Sequence, residues 1–509
     1  MTSWSVIAAS SIHADEPKDA AQQPISFHRD IRPILQAHCQ GCHQPAKADG
    51  DYVMTQFERL VRGGESGSPA IVPGKPEKSH LVEMITPVDG EAAMPEGKPP
   101  LDAESIAKIV QWIRQGAVDD TPQNAKMRYD LDHPPVYVRP PVVTALDYSP
   151  DGKWLAVAGF HEVLLHRAEG GLAGRLIGLA ERIESVSFSP DGKRLAVTGG
   201  LPGRAGELQI WELQESTADG KPVLSGELAL SIPVTHDTVY AGKWSPDGKL
   251  VVVGCADNSV RVFDAASGEQ VLFQGAHNDW VLDAVFSVDG KHLMSVGRDM
   301  SAKLIEVATE RFVDNITSIT PGVLKGGIQS VARHPTRNEI IIGGSDGVPK
   351  VYRVFRETPR RIGDDANLIR RLPPLKGRIF AVAVSQDGKR IASASSWNGR
   401  GQIAIDGYEF DTSLTAELKR IMSKVVTTRT PEEKKKLEEY RTRGLKRYAL
   451  VDVPAGVFAV DFHPDGKTLA ASGFDGKVRL IDVATGKVRS VFDAARVSPR
   501  ADIAKASVI

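Results

Sequence analysis

Ser149-Pro150-Asp151-Gly152-Lys153 reads as the turn of a β-hairpin, because an Asp-Gly pair accepts the positive φ that a tight turn between two strands requires. The pattern returns at Ser189–Lys193, Ser245–Lys249, Ser287–Lys291, Ser385–Lys389 and His463–Lys467, and in degenerate form at His334–Asn338. Those are seven units, and the first and third intervals are about 40 residues, the length of four short strands. Before each turn lies an alternating strand such as Val143–Tyr148, and after it a small apolar one such as Leu155–Ala158. A third strand follows in Leu208–Leu213, Val260–Phe263, Lys303–Val307, Lys350–Val354 and Lys477–Val483. Single units of this size cannot bury their faces alone, whereas a closed ring of them leaves few exposed edges. The spacing therefore predicts an all-β, seven-bladed propeller over residues 141–495, followed by a tail at 496–509.

The longest interval, from Ser385 to His463, predicts a helical insertion at about 400–448 in the sixth blade. Thr430 supplies a cap there, Pro431 a first-turn proline, and Glu432 and Glu433 an acidic first turn for a charged helix running to about Arg443. Lys434, Lys435 and Lys436 read as a solvated face of that helix, with a docking patch as the alternative.

Outside the repeats, the decisive stretch is Cys39-Gln40-Gly41-Cys42-His43, a C-x-x-C-H. This spacing sets two thiols about one helical turn apart with an imidazole beside them, the arrangement that fastens haem c covalently through Cys39 and Cys42 and ligates its iron through His43. A two-Cys zinc site or a redox dithiol are the alternatives, and zinc would need a second ligand pair that is not evident. Around the motif, residues 25–120 read as a small all-α domain. Asp30 is placed to cap a helix with Ile31, Ile34, Leu35 and His38 on one face and Pro33 in its first turn, ending at Cys39. Asp102 caps a second helix with Ile106, Ile109, Val110 and Ile113 at helical spacing and Gly116 as its stop. So small a unit has little core, and a porphyrin plane would add apolar surface to it. A Pro-rich, polar stretch at 121–140 reads as the linker.

Bulk composition narrows the function classes. The 509 residues carry a net charge of -1, with 41% hydrophobic and 25% charged residues, which fits a folded multidomain protein and speaks against a nucleic-acid partner. No apolar run is long enough for a transmembrane segment. Residues 1–24 read as a leader or an unstructured N-terminus; Trp4–Ala14 is mildly apolar but short and without a basic start, as if the initiation site were misplaced. The third cysteine, Cys255, follows Val251-Val252-Val253-Gly254 and reads as a buried, inert thiol.

The N-terminal segment resembles the planctomycete-type cytochrome c domain. The likeness is carried by Phe27, Asp30-Ile31-Arg32-Pro33-Ile34-Leu35, the haem motif, Ile71-Val72-Pro73-Gly74, Ser79, Met94-Pro95, Leu101, Trp112-Ile113 and Gly116-Ala117. Residues 141–495 resemble a WD-repeat propeller, with Trp211-Glu212, Phe263-Asp264, Ile305-Glu306 and Ile481-Asp482 where the Trp-Asp dipeptide would stand. In such blades Asp257, Asp299, Asp346 and Asp475 would be structural turn acids. The cytochrome resemblance implies a second axial ligand from a loop beyond the haem helix, with Met94 as first choice and Met84, His80, Met54 or an open position as alternatives. It also implies export, since haem is attached to this motif outside the bacterial cytoplasm, which makes the periplasm the expected compartment.

Three functions fit. One is an electron-transfer cytochrome, a carrier rather than a catalyst, whose propeller docks a redox partner protein. Another is an extracytoplasmic binding scaffold with a structural or sensing haem. A peroxidase-type haem enzyme is third, since no cluster of His or acidic residues recurs on the propeller loops at ligand spacing. The oligomeric state is left open.

Overall fold

The computed structural model describes residues 24–121, 129–318, 326–359 and 364–498. The expected leader lies outside them except for Pro24, as does the tail beyond Ser498. Two compact units result, Met1–Met127 and Arg128–Ile509. The first is a small helical region and the second is built of β-sheets.

In the first unit the chain enters helix one residue group earlier than expected. Ser26 is the cap: its Oγ accepts from Arg29 N at 3.0 Å, and the carboxylate of Asp30 accepts from Ser26 N at 2.9 Å. Asp30 therefore sits inside the first turn and closes the reciprocal bond, rather than serving as the cap. The turn Phe27–Ile31 runs into α1 (Arg32–His38), followed by α2 (Phe57–Arg62), α3 (His80–Ile85) and α4 (Ala103–Arg114). Asp102 caps α4 as expected, accepting from Ser105 N at 2.8 Å. Ile31, Leu35, Leu60, Ile109, Trp112 and Ile113 form the centre of the core, with Phe27 stacked on Trp112 at 5.3 Å. The helical unit also contains one short hairpin, His43–Gln44 against Lys47–Ala48.

The second unit holds five four-stranded antiparallel sheets, at residues 239–274, 281–315, 328–371, 378–453 and 457–493, and one seven-stranded sheet at 146–235. Each sheet runs in chain order. The seven-stranded sheet contains two repeats fused through one long strand, Leu172–Phe188, whose first half pairs with Phe160–Arg167 and whose second half pairs with Arg194–Leu201. Its last two strands, Ala205–Ala218 and Lys221–Thr235, make a long hairpin that accounts for the wide interval between the second and third turns. In the 378–453 sheet the insertion starts later than expected, because Arg400–Gly407 is the third strand; α5 (Ala416–Met422) and α6 (Pro431–Thr442) lie between it and Arg447–Val453. Thr430 and Glu433 form the expected capping box on α6. Lys434, Lys435 and Lys436 are exposed, while Leu437 and Tyr440 bury the opposite face and Arg441 pairs with Asp365 at 2.5 Å.

The repeated turns share one geometry. In the first, Ser149 Oγ donates to Asp151 at 2.7 Å, Asp151 accepts from Lys153 N at 3.1 Å, and Gly152 takes φ +74°. A Cβ at Gly152 would lie 2.6 Å from the His463 ring, whose Nε2 donates to Gly152 O at 2.9 Å and so joins the last sheet to the first. The turn acids are structural: Asp257, Asp299 and Asp346 each accept the N–H two residues on at 3.1 Å, and Asp475 does so at 3.3 Å. Asp257, Asp346 and Asp475 also pair with the base four residues on, Arg261, Lys350 and Arg479. Asp299 likewise faces the base four residues on, Lys303, at 4.0 Å, and adds His277 at 3.0 Å, whose Nε2 meets Ser295 Oγ at 2.7 Å. The turn acid and its base thus recur in four sheets, and one of them carries an imidazole as well.

Candidate functional site

Cys39 terminates α1, its N–H bonded to Leu35 O at 2.9 Å, and the chain then closes a turn in which Cys42 N and His43 N both reach Cys39 O, at 3.2 and 3.1 Å. That turn sets the two thiols in different surroundings. Cys39 is half-buried against the apolar core, and burial, with the charge of Cys42 second, pushes its thiol up to about 11. Cys42 is exposed, and Lys47 Nζ lies 3.4 Å from its sulfur.

His43 is the oriented member. The hairpin that begins at His43 brings Asp49 O to 2.9 Å from its Nδ1, and since a carbonyl only accepts, Nδ1 carries the proton and Nε2 keeps its lone pair. Tyr52, with its ring centroid 5.4 Å away, flanks the imidazole, and its hydroxyl donates to Leu60 O at 2.8 Å. A ligating imidazole needs this tautomer. The residues present therefore fit a haem attached at Cys39 and Cys42, with apolar surface beside them and a correctly protonated His43. Among the described residues no group of three or more His, Cys, Asp or Glu is placed to hold a metal.

Met94 is half-buried and packs on the same apolar cluster as Cys39; its N–H bonds Met84 O at 2.9 Å. Met54 is a core residue, 3% exposed, whose backbone ties the motif together: its N–H donates to His43 O and its carbonyl accepts from Gln40 Nε2. His80 is turned to Glu83 at 3.0 Å. Sequence reasoning missed Lys47, Asp49 and Tyr52. Asp49 acts through its backbone carbonyl, which no side-chain pattern announces. Cys255 is fully buried, and burial pushes its thiol up to about 12.

A second group of polar residues, also missed, belongs to the β unit. In the inner strands, residues two or four positions before the turns share a face by the period of 2, and so Asp147, Lys243, Asp283 and Asp461 line one cavity of about 1130 Å³. Each carboxylate reaches the next repeat: Asp461 accepts from Tyr148 N at 2.9 Å, Asp147 from Phe188 N at 2.7 Å, and Asp283 from Val331 N at 2.9 Å. Burial holds all three above the usual carboxylate range, against the attraction of Lys243. Aromatic and basic residues stand in the same lining, among them Tyr240, Trp280, Arg298, Arg378, Phe380 and Phe458.

The planctomycete cytochrome C family matches residues 39–97, and the WD domain, G-beta repeat, matches residues 136–161, 229–264, 268–306 and 452–482. Among curated proteins the chain is similar to eukaryotic translation initiation factor 3 subunit I. The identity is 26% for the Candida glabrata protein, over 29% of this chain and 42% of that one, and 26% for the Danio rerio protein, over 39% and 61%. For the Emericella nidulans protein it is 30%, over 25% and 36%. The chain thus spans between 36% and 61% of the length of these relatives. It joins, in one polypeptide, a planctomycete cytochrome C segment to WD repeats.

Proposed function

We infer that this protein is an exported electron carrier, with haem c held by Cys39, Cys42 and His43 and with Met94 as second axial ligand. Its sheets close as a seven-bladed propeller that docks a redox partner protein. The observation that carries the reading is the Nδ1 bond of His43 to Asp49 O, which fixes the protonation a ligating imidazole requires beside two thiols one turn apart. When bound, the haem supplies a one-electron couple. His43 holds Nε2 available, Asp49 O and Tyr52 fix the ring, and the Leu35, Ile71 and Ile113 side of the core excludes water from the apolar face. A ring of seven is supported by the seven turns, by the fused sheet counting as two blades, and by contacts between inner strands that run in chain order and return from Val457–Phe462 to Leu146–Tyr148. The periplasm is the compartment this attachment chemistry favours.

Haem staining after denaturing electrophoresis tests the covalent site in protein made with haem c maturation machinery. Stain on the full chain and none on a Cys39→Ser, Cys42→Ser variant is expected; an unstained full chain overturns the carrier reading. Docking is tested by mixing reduced protein with a periplasmic extract, where the full chain should be reoxidised faster than residues 24–121 alone. A binding scaffold with a structural haem is the second reading, favoured by relatives that are named as a subunit of a larger factor.

A further inference from the structure

Lys376, Arg378, Phe380, Trp397, Phe458 and Phe474 form one aromatic and basic patch where the 378–453 and 457–493 sheets meet the cavity. Phe380 and Phe458 touch edge to face at 4.9 Å, Arg378 lies 5.9 Å from the Phe380 ring and Lys376 lies 5.4 Å from that of Trp397. Trp397 adjoins the strand start, since a Cβ on Gly377 would sit 2.6 Å from its Cβ. Phe474 is 61% exposed; its N–H bonds Gly456 O at 2.9 Å, and a Cβ on Gly456 would lie 3.5 Å from the Phe458 ring, so its backbone runs beside that ring. Lys376 and Arg378 are exposed as well.

The charges of this patch are unbalanced. The nearby carboxylate, Asp452, accepts from Gln402 Nε2 at 2.9 Å, and Lys376 and Arg378 make cation–π contacts rather than ion pairs. Another aromatic and basic group in the lining differs in this respect. There Trp280 stacks on Tyr240 at 5.6 Å under Arg298, but Arg298 faces Asp279 at 3.6 Å and Arg182 faces Glu184 at 2.7 Å. Of these two groups, the Lys376 side is the one whose cations stand without an ion pair among the described residues. Rings and arginines are what buried contact centres between proteins are made of. A phosphate chain is the less suitable occupant, because it needs a row of cations along its backbone, whereas this patch sets two cations, Lys376 and Arg378, among rings.

We propose that this patch captures an acidic protein segment carrying apolar side chains, its carboxylates on Lys376 and Arg378 and its apolar groups on Phe380, Phe458 and Phe474. The proposal rests on the reading that the β unit docks a protein, and names the chemistry of the partner. The probes are a short fluorescent peptide of Glu and Asp interspersed with Leu and Trp, the same peptide with Lys for each acid, and a short oligothymidylate, each titrated into the full haem-loaded chain by anisotropy. The acidic peptide should bind about tenfold tighter than the other two at low salt. Lys376→Glu with Arg378→Glu should weaken it about tenfold and Phe474→Ser about fivefold, with unchanged melting, whereas Trp280→Ser with Arg298→Glu should change it less than about twofold. Equal binding of the two peptides, tighter binding of the oligothymidylate, or loss only in the Trp280 and Arg298 variant overturns the site. A full chain that still outpaces residues 24–121 in the extract while ignoring the acidic peptide overturns this site and leaves docking standing.

Discussion

Met94 and His43 differ in how far each is determined by its own neighbourhood. His43 follows from five consecutive residues, and the backbone alone supplies its partner, Asp49 O. Met94 lies 51 positions on and shares with Cys39 only the apolar cluster on which both pack. If Met94 supplies the second axial sulfur, Met94→Ala removes a ligand that favours ferrous iron, so the reduction potential should fall and carbon monoxide should bind the reduced variant and not the reduced parent. Redox titration and reduced-plus-carbon-monoxide spectra check both. A parent that already binds carbon monoxide, with a variant of unchanged potential, would make Met94 a packing residue. Legibility at this scale follows the same division. Cys39, Cys42 and His43 could be named because covalent attachment needs side chains at fixed spacing. Lys47, Asp49 and Tyr52 could not, because a hairpin that begins inside the motif brings them in.

Between elements, the polar ties of the β unit run along the inner strands and were only half readable. The turn Ser-x-Asp-Gly-Lys could be read because its hydrogen bonds are local, and Ser149, Ser189, Ser245, Ser287 and Ser385 all donate to the Asp two residues on. Asp147, Asp283 and Asp461 could not, since each bonds a neighbouring repeat and an Asp in an alternating strand looks like a solvated one. Asp461 closes the seam between last and first sheets. Burial, and then the charge of Asp147, raise its pKa, with the Tyr148 N–H and Lys243 opposing; the Tyr148 hydroxyl is also titratable and feels the charge of Asp461. The sign follows. A carboxyl whose folded pKa is raised contributes stability that is present below the usual carboxylate range and lost as pH rises through the folded pKa. Asp461→Asn keeps an oxygen to accept from Tyr148 N but does not titrate. Between about pH 5 and about pH 9 the parent should therefore lose more stability than the variant, by about 1 kcal/mol or more. Denaturant melts of both proteins across that range read the difference, and parallel curves would refute it.

For the molecule as a whole, the boundary of the β unit decides whether it stands alone. The repeat spacing placed it at 141, after a stretch rich in proline and polar residues. The described residues before it are nevertheless part of the second unit: Tyr137 is 8% exposed in that unit's core, and its hydroxyl donates to Glu162 at 2.7 Å and accepts from Phe160 N at 3.0 Å. Glu162, fully buried, also pairs with Arg175 at 2.5 Å, and Arg175 reaches Pro135 O at 3.0 Å. Ser498 N returns to Tyr137 O at 2.8 Å, so the first and last described segments of the unit meet at one tyrosine. A lone Tyr among prolines carries no period, which is why the sequence pattern passed over it. Removing residues 129–140 takes away a buried aromatic ring and leaves Glu162 with one partner fewer in a dry site, a loss of about 3–5 kcal/mol. A fragment of 129–498 should therefore melt cooperatively with a β-type circular dichroism spectrum, and one of 141–498 should melt about 5 °C lower. Tyr137→Phe within the longer fragment separates the two contributions, because it keeps the ring and removes only the hydroxyl, so it should recover most of the melting temperature but not all of it. Equal melting of the two fragments would show that Tyr137 is a passenger on a unit already closed at 141, and an unfolded 129–498 would show that the two units fold only together.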